Sequence, residues 1–202
     1  MSTNQKKIAG LVIIIASIIG VALWYTNRTP KDSCDYYESI DVAEQQMAPF
    51  MFPEVEVDWY PNYYKCHPVE KGDIVAYQIG TLPTKLYRVA VAVGGDDVVV
   101  LADKDNRGWN LTVNGSMVMS GEKPYFFGIH NVNPVINLFL TDSKKKLYED
   151  ELVLFATQPP GLTDSGLFGL YSTRGPIFGK IVLPGEQRKA FDYGGWLMMY
   201  PM

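Results

Sequence analysis

The chain has little histidine, little cysteine and no excess of basic residues, and each shortage excludes a class of function. Its two histidines and two cysteines do not form the spaced ligand pairs of a zinc site. The net charge is −4 and the lysines and arginines are scattered, so the basic surface that nucleic-acid binding requires is missing. No glycine-rich phosphate loop precedes a predicted helix. We therefore expect no metal, no other cofactor and no nucleic-acid partner.

One long stretch near the amino terminus has no charge at all. Between Lys7 and Arg28 lie 20 uncharged and mostly apolar residues, enough to cross the roughly 30 Å hydrocarbon layer of a bilayer as a helix. Trp24 and Tyr25 lie at its far end, where aromatic rings favour the membrane interface. The run is long for a cleaved signal peptide, and no small-x-small cleavage pattern follows it. We predict a membrane anchor over residues 1–28, with its transmembrane segment at about 8–25.

The residues that flank this run indicate its orientation. A short basic tail with Lys6 and Lys7 precedes it, which favours an amino terminus on the cytoplasmic side of the inner membrane. The rest of the chain would then lie in the periplasm, an oxidising space where Cys34 and Cys66 could form a disulfide. Two free thiols are the alternative. We predict a polar link over 29–44 and a domain over 45–202.

Short strands and turns, rather than long helices, are predicted from residue 50 onward. Aromatic residues make up 13% of the chain, a composition that favours a β-rich domain. The segment FPEVEVDWY alternates apolar and acidic residues, which predicts a strand with one solvent-exposed face. Apolar runs flank the turns Gly94–Asp97 and Asn114–Gly115, and each pair of runs is predicted to form a hairpin. The segments GDIVAYQIG, ELVLFATQPPGLTDSGLFG and RGPIFGKIVLPG predict further strands.

Two segments of this domain have less regular patterns. DSKKKLYEDEL is strongly charged and predicts a solvated loop or a short helix. The apolar tail GGWLMMYPM predicts either a final core strand or a patch that rests on lipid. The fold class expected from the whole chain is mainly β, preceded by one transmembrane helix.

Five short segments stand out by their order and separations along the chain: Gln46-Met47-Ala48-Pro49, Gly72-Asp73-Ile74-Val75, Arg88 to Asp96, Val113-Asn114-Gly115 and Leu162 to Gly169. In this order they resemble the motifs of the signal peptidase I (leader peptidase) family, including its conjugative-transfer branch. A Gly179-Lys180 pair follows, as in the family. The resemblance covers about residues 8–184. It implies curved antiparallel sheets that hold an extended peptide in a groove beside the membrane.

The chemistry of this family needs a serine nucleophile, a lysine base and a second hydroxyl that orients the lysine. At the corresponding positions the chain has Gln46, Arg88 (or Tyr87 if one gap is allowed) and Leu162. An amide forms no acyl intermediate, arginine is not deprotonated in proteins, and leucine offers no hydrogen bond. The resemblance therefore implies a member without its catalytic groups. We expect Gln46 and Arg88 to face each other, or to bind a peptide backbone.

The resemblance also implies a substrate groove and a membrane-facing apolar patch beside these positions. The residues expected there are Met47, Pro49, Phe50, Met51, Phe52, Asp164 and Ser165. Ordinary core packing is the alternative for the Phe-Met-Phe cluster.

The function predicted from this resemblance is binding without catalysis. The protein would bind exported or pilin-like polypeptides, and secretion-system subunits, during assembly of a pilus, conjugation or secretion apparatus. One alternative is an active serine-type leader peptidase with a displaced dyad, such as Ser165 with Lys85. Another is a purely structural subunit of a secretion complex.

Overall fold

The computed structural model describes residues 17, 31–80, 84–102, 105, 108–127, 145–159, 161 and 163–185, and the backbone of 199–201. It is mainly β with antiparallel pairing, as predicted. The predicted transmembrane segment at about 8–25 lies outside the described residues, apart from Ser17. Among the helices that the structure describes, none has the length and apolar character needed to cross a membrane.

The first sheet has seven strands, and its central strands are buried on both faces. In spatial order they are β1 (Glu38–Val42), β2 (Val55–Tyr60), β13 (Ile177–Val182), β3 (Ile74–Tyr77), β4 (Leu86–Ala92), β11 (Glu151–Phe155) and β12 (Tyr171–Ser172). Successive side chains of a strand point to opposite faces. Ile74 and Ala76 of β3 join one core cluster, while Val75 and Tyr77 join another. This is why β3 is a continuous apolar run without a polar face.

The second sheet is built around one hairpin and shares its core with the first sheet. Val153 and Phe155 of β11 pack in the same cluster as residues of the second sheet. Its strands, in spatial order, are β10 (Lys145–Lys146), β5 (Asp97–Ala102), β6 (Trp109–Val113), β7 (Ser116–Ser120) and β14 (Met199–Pro201), with β8 (Lys123–Pro124) on β7 and β9 (Phe126–Phe127) on β6.

The hairpin predicted at Asn114–Gly115 is confirmed. β6 and β7 pair directly across it, with Val113 opposite Ser116. Asn114 and Gly115 have φ values of 51° and 81°. Positive φ at both central residues is the requirement of the type I′ turn, which the Asn-Gly sequence meets at little steric cost.

The hairpin predicted at Gly94–Asp97 is wrong, because this turn carries the chain from one sheet to the other. β4 pairs with β3 and β11, whereas β5 pairs with β6 and β10. The Asp96 carboxylate accepts the Val93 N–H at 3.0 Å and the Asn114 Nδ2–H at 2.7 Å. A Cβ on Gly94 would lie 2.4 Å from the Glu149 carbonyl oxygen, so this position admits only glycine.

The structure also revises the predictions for the link, the charged segment and the apolar tail. β1 lies within residues 29–44, the predicted link, and pairs with β2 along its whole length. In the described part of the charged segment, Lys145–Lys146 form β10, residues 149–150 form a turn and residues 151–152 begin β11. In the tail, β14 pairs with β7.

Three short helical turns complete the described fold, and a disulfide links two of its loops. Two are 3-10 turns, at Gln45–Met47 and Tyr63–Lys65, and one is a single α-helical turn, α1, at Ser165–Phe168. Cys34 and Cys66 form a disulfide, with their Cα atoms 6.1 Å apart.

Candidate functional site

The centre of the candidate site is Arg88, which is completely buried. It stands on β4, between β3 and β11, and lies opposite Val75 in the register of β3. A buried guanidinium is costly unless it is paired and hydrogen-bonded, because arginine stays charged inside a protein. The partners of Arg88 therefore determine what this site can do.

Three segments of the chain supply those partners. One Nη–H of Arg88 donates to the carbonyl oxygen of Tyr87, and the other donates to the hydroxyl oxygen of Thr163. A carboxylate oxygen of Glu44 lies 3.6 Å from Arg88 Nη1, which makes an ion pair. Arg88 Nε is buried and has no hydrogen-bond partner in the structure. The guanidinium thus joins the segment before β2, β4 itself and the segment before α1.

Glu44 connects position 46 to position 88. Its side chain caps the 3-10 turn Gln45–Met47, because one carboxylate oxygen accepts the backbone N–H of Gln46 at 3.1 Å. The other oxygen makes the ion pair with Arg88. The carbonyl oxygen of Gln46 accepts the backbone N–H groups of Thr157 and Gln158, at 3.0 and 3.2 Å. The two positions therefore lie at one site, and a carboxylate links them.

The third segment is anchored by Asp164, which is also completely buried. Its carboxylate caps α1 by accepting the Gly166 N–H at 2.8 Å, and it also accepts the Tyr125 hydroxyl at 3.1 Å and the Ala156 N–H at 3.3 Å. Burial raises the pKa of Asp164, while these hydrogen bonds and the nearby charge of Arg88 oppose that rise. The hydrogen bonds from Tyr125 and Ala156 fix the segment 163–166 against the core.

Two tyrosines close the site around Thr163. The Tyr77 hydroxyl donates to the Thr163 carbonyl oxygen, and the Tyr171 hydroxyl lies 3.5 Å from that of Tyr77. Burial is the main reason that the pKa of Tyr77 is raised and that of Tyr171 is raised to about 12. Both phenols therefore stay protonated at neutral pH and act as hydrogen-bond donors.

Most of the apolar residues expected in a membrane-facing patch belong to the core instead. Met47, Phe50 and Met51 are buried in a cluster with Val57, Ile74 and Val89. This corrects the expectation, and the reason is that the Met47–Met51 turn folds over one face of the first sheet. Pro49 and Phe52 alone remain exposed from that group.

The displaced dyad suggested as an alternative, Ser165 with Lys85, is not assembled. Ser165 is buried, and its hydroxyl oxygen accepts the Leu154 N–H at 2.8 Å. The ammonium of Lys85 lies 3.5 Å from the centre of the Trp59 ring, where burial lowers its pKa. Each group is engaged by a different part of the protein. Leu162, which corresponds to the orienting hydroxyl, lies outside the described residues.

Sequence reasoning missed Glu44, Thr163 and Tyr77. Glu44 directly precedes the turn Gln45–Met47, but glutamate is not among the residues preferred at an N-cap, so the sequence gives little signal for its capping role. Thr163 and Tyr77 give no such signal, because their contacts join segments about 85 residues apart. Within the described residues, no group of three or more His, Cys, Asp or Glu side chains is arranged to hold a metal ion.

Comparisons with known proteins do not identify a family for this chain. No known family model matches the chain. None of the curated proteins matches it either.

Proposed function

We propose that the protein is a non-catalytic, signal-peptidase-like protein, anchored in the inner membrane by its N-terminal apolar run. Its domain would lie in the periplasm and bind exported or pilin-like polypeptides during assembly of a pilus, conjugation or secretion system. The observation that carries this proposal is the buried Arg88, held by Glu44 and Thr163.

The first support is convergence in space. The resemblance places a nucleophile at position 46, a base at position 88 and an orienting group at position 162. Glu44, Arg88 and Thr163, which belong to these three segments, are in contact although more than 100 residues separate the first from the last.

The second support is chemical. An arginine that is ion-paired and hydrogen-bonded cannot take a proton from a nucleophile, because its pKa stays above about 12. Gln46 offers no nucleophilic atom in place of serine. The contacts of this site therefore hold segments of the chain together. Positions 46 and 88 supply neither the nucleophile nor the base of the family's mechanism.

The third support concerns binding. Phe52, Leu167 and Phe168 are large apolar side chains that remain exposed. Phe52 closely follows the turn that Glu44 caps, and the other two lie on α1, directly after Asp164. These side chains follow two of the segments that meet at Arg88, and we propose them as the surface that contacts a polypeptide.

The proposal is tested by binding and cleavage assays on the full chain in detergent. A leader-bearing, pilin-like polypeptide should bind and remain uncleaved. Phe52→Asp and Phe168→Asp should each weaken binding about tenfold or more, because each places a charge in an apolar contact. Tyr148→Asp is the matched control, since Tyr148 is exposed on a different turn and its change should leave binding intact. Equal binding by all three variants would contradict the proposed surface.

The active-peptidase alternative is tested in the same samples. Cleavage of the polypeptide that disappears in Ser165→Ala would establish a displaced dyad and overturn the non-catalytic proposal.

A further inference from the structure

A row of stacked aromatic side chains forms a surface that neither the core nor the candidate site uses. Tyr37 and Tyr60 stack with their ring centres 5.3 Å apart, and Tyr60 meets Tyr63 edge to face at 6.2 Å. Tyr63 stacks on His67 at 4.4 Å. Tyr37 is 53% exposed and His67 is exposed as well. We call these four residues the tyrosine surface.

Two links hold the start of the described domain against this surface. The disulfide between Cys34 and Cys66 joins the segment that contains Tyr37 to the one that contains His67. The Asn62 side chain donates to the carbonyl oxygen of Lys31 at 2.7 Å. The segment 31–37 is therefore fixed beside residues 60–67.

The position of Lys31 in the chain suggests what covers the surface. Lys31 follows Arg28 by three residues, and Arg28 ends the run of 20 uncharged residues. Three residues span at most about 11 Å of extended chain. The headgroup region on each side of the hydrocarbon layer is itself roughly 5–8 Å thick. If the run spans a bilayer, Lys31 lies at or close to the headgroups, and the segment 31–37 brings the tyrosine surface near them.

We propose that the tyrosine surface rests on the lipid headgroup layer, an inference that depends on the membrane anchor of the proposed function. Tyrosine suits this position because its ring is apolar and its hydroxyl can hydrogen-bond to headgroups and water. The contact replaces the expected patch at Phe50 and Met51, which are core residues.

The charges around the tyrosine surface indicate that lipid charge contributes little. Lys31 and Lys65 are exposed at its edge, but so are Asp32 and Asp35. These opposite charges offset one another, so a negatively charged membrane gains little attraction. The contact should form on neutral phosphatidylcholine as well as on membranes that contain phosphatidylglycerol.

The test is hydroxyl-radical footprinting of the full chain, reconstituted in phosphatidylcholine vesicles with and without phosphatidylglycerol. Tyr148 is the internal control, because it is 71% exposed and has the same ring chemistry as Tyr37. We expect Tyr37 to be oxidised about fivefold less than Tyr148 on both membranes, because headgroups shield it. Extraction of the vesicles with alkaline carbonate, carried out in parallel, reports whether the chain is anchored.

The outcomes separate this inference from the function on which it rests. Retention of the chain with selective protection of Tyr37 on both membranes supports the inference. Retention with Tyr37 and Tyr148 oxidised in proportion to their exposure overturns the inference alone. Protection only on the membranes with phosphatidylglycerol overturns the ring-based contact. Release of the chain by carbonate overturns both the anchor and the inference.

Discussion

The polar centre around Arg88 and the tyrosine surface use their polar groups in opposite ways. Arg88 is completely buried and is held by groups of the chain itself, from Glu44 and Thr163. Tyr37 of the tyrosine surface is more than half exposed, although a disulfide and a hydrogen bond hold its segment in place. The first region is buried and takes its partners from within the protein, whereas the second is fixed in place but exposed.

Under the two proposals, the region that carries the motif resemblance and the surface proposed to contact lipid are therefore different parts of the molecule. At the Arg88 centre, charge and hydrogen bonds connect segments, so substitutions should act mainly on stability. At the tyrosine surface, the segment that carries Tyr37 is fixed but the Tyr37 ring is exposed. Substitutions of the rings should therefore act mainly on the proposed contact with lipid headgroups. The following predictions test that division, beginning with the largest expected effect.

Removing the buried guanidinium should cause the largest loss of stability. Arg88→Met leaves the carboxylate of Glu44 without its ion-pair partner and Asp164 without a nearby positive charge. Breaking a buried pair by removing one partner typically costs about 3–5 kcal/mol. Chemical denaturation of the full chain in detergent measures this free energy of unfolding. Arg174→Met is the control, because the Arg174 side chain is 83% exposed and its ion pair with Asp150 should contribute less than about 1 kcal/mol. Equal losses in the two variants would contradict the structural role of Arg88.

Removing the disulfide should be the next largest effect and should act on the other region. Replacing Cys34 and Cys66 by serine opens a loop with a sequence separation of 32 residues. In the chain-entropy model this lowers the free energy of unfolding by about 3–4 kcal/mol. The same denaturation experiment, run with and without a reducing agent, measures it. Reduction should lower the free energy of unfolding of the wild type by as much as the two serine substitutions do. A wild type whose stability does not change on reduction would contradict the disulfide.

Asp164 should give a smaller effect that depends on pH. Burial raises the pKa of Asp164 above 3.8, so the folded protein holds this proton more tightly than the unfolded chain does. The resulting stabilisation is complete below 3.8 and is lost as the pH rises through the higher pKa of the folded state. Relative to Asp164→Asn, wild type should therefore become less stable as the pH rises through this window. Unfolding curves of both proteins across the window measure the difference, and an opposite slope would show that the Arg88 charge outweighs burial.

Introducing a serine and a lysine at the positions that correspond to the resembled family's nucleophile and base should give the smallest effect. The double change Gln46→Ser with Arg88→Lys supplies a hydroxyl and an amine, but Leu162 still offers no hydrogen bond to orient the lysine. At most trace cleavage of a leader-bearing substrate is expected in a mass-spectrometric assay. Efficient cleavage would mean that the centre is much closer to an active arrangement than its contacts indicate.

Most of the strands could be predicted from the sequence, because local pattern determines them. The alternation in β2, the apolar run of β3 and the Asn-Gly turn between β6 and β7 are all short-range signals. The turn at Gly94–Asp97 was misassigned because a sheet change and a hairpin have similar turn residues. Long-range contacts distinguish them: β4 pairs with β3 and β11, β5 pairs with β6 and β10, and Gly94 packs against Glu149.

The candidate site was predictable only in part, for a related reason. Spacing and resemblance point to positions 46, 88 and 162, and the structure brings the nearby Glu44 and Thr163 into contact with Arg88. The partners of Arg88 depend on side chains whose proximity arises from the tertiary fold, and the burial of Phe50 and Met51 depends on how one turn folds over the sheet. Apolar residues after a turn suit a core and a membrane surface equally well, so sequence alone does not separate the two.

A double-mutant cycle between Glu44 and Arg88 tests the central claim most directly. The free energy of unfolding would be measured for the wild-type full chain, Glu44→Gln, Arg88→Met and the double variant. A coupling energy of about 1–3 kcal/mol is predicted, because the two side chains form an ion pair shielded from water. A coupling energy below about 0.5 kcal/mol, the range of independent sites, would contradict the view that this pair joins the segment before β2 to β4.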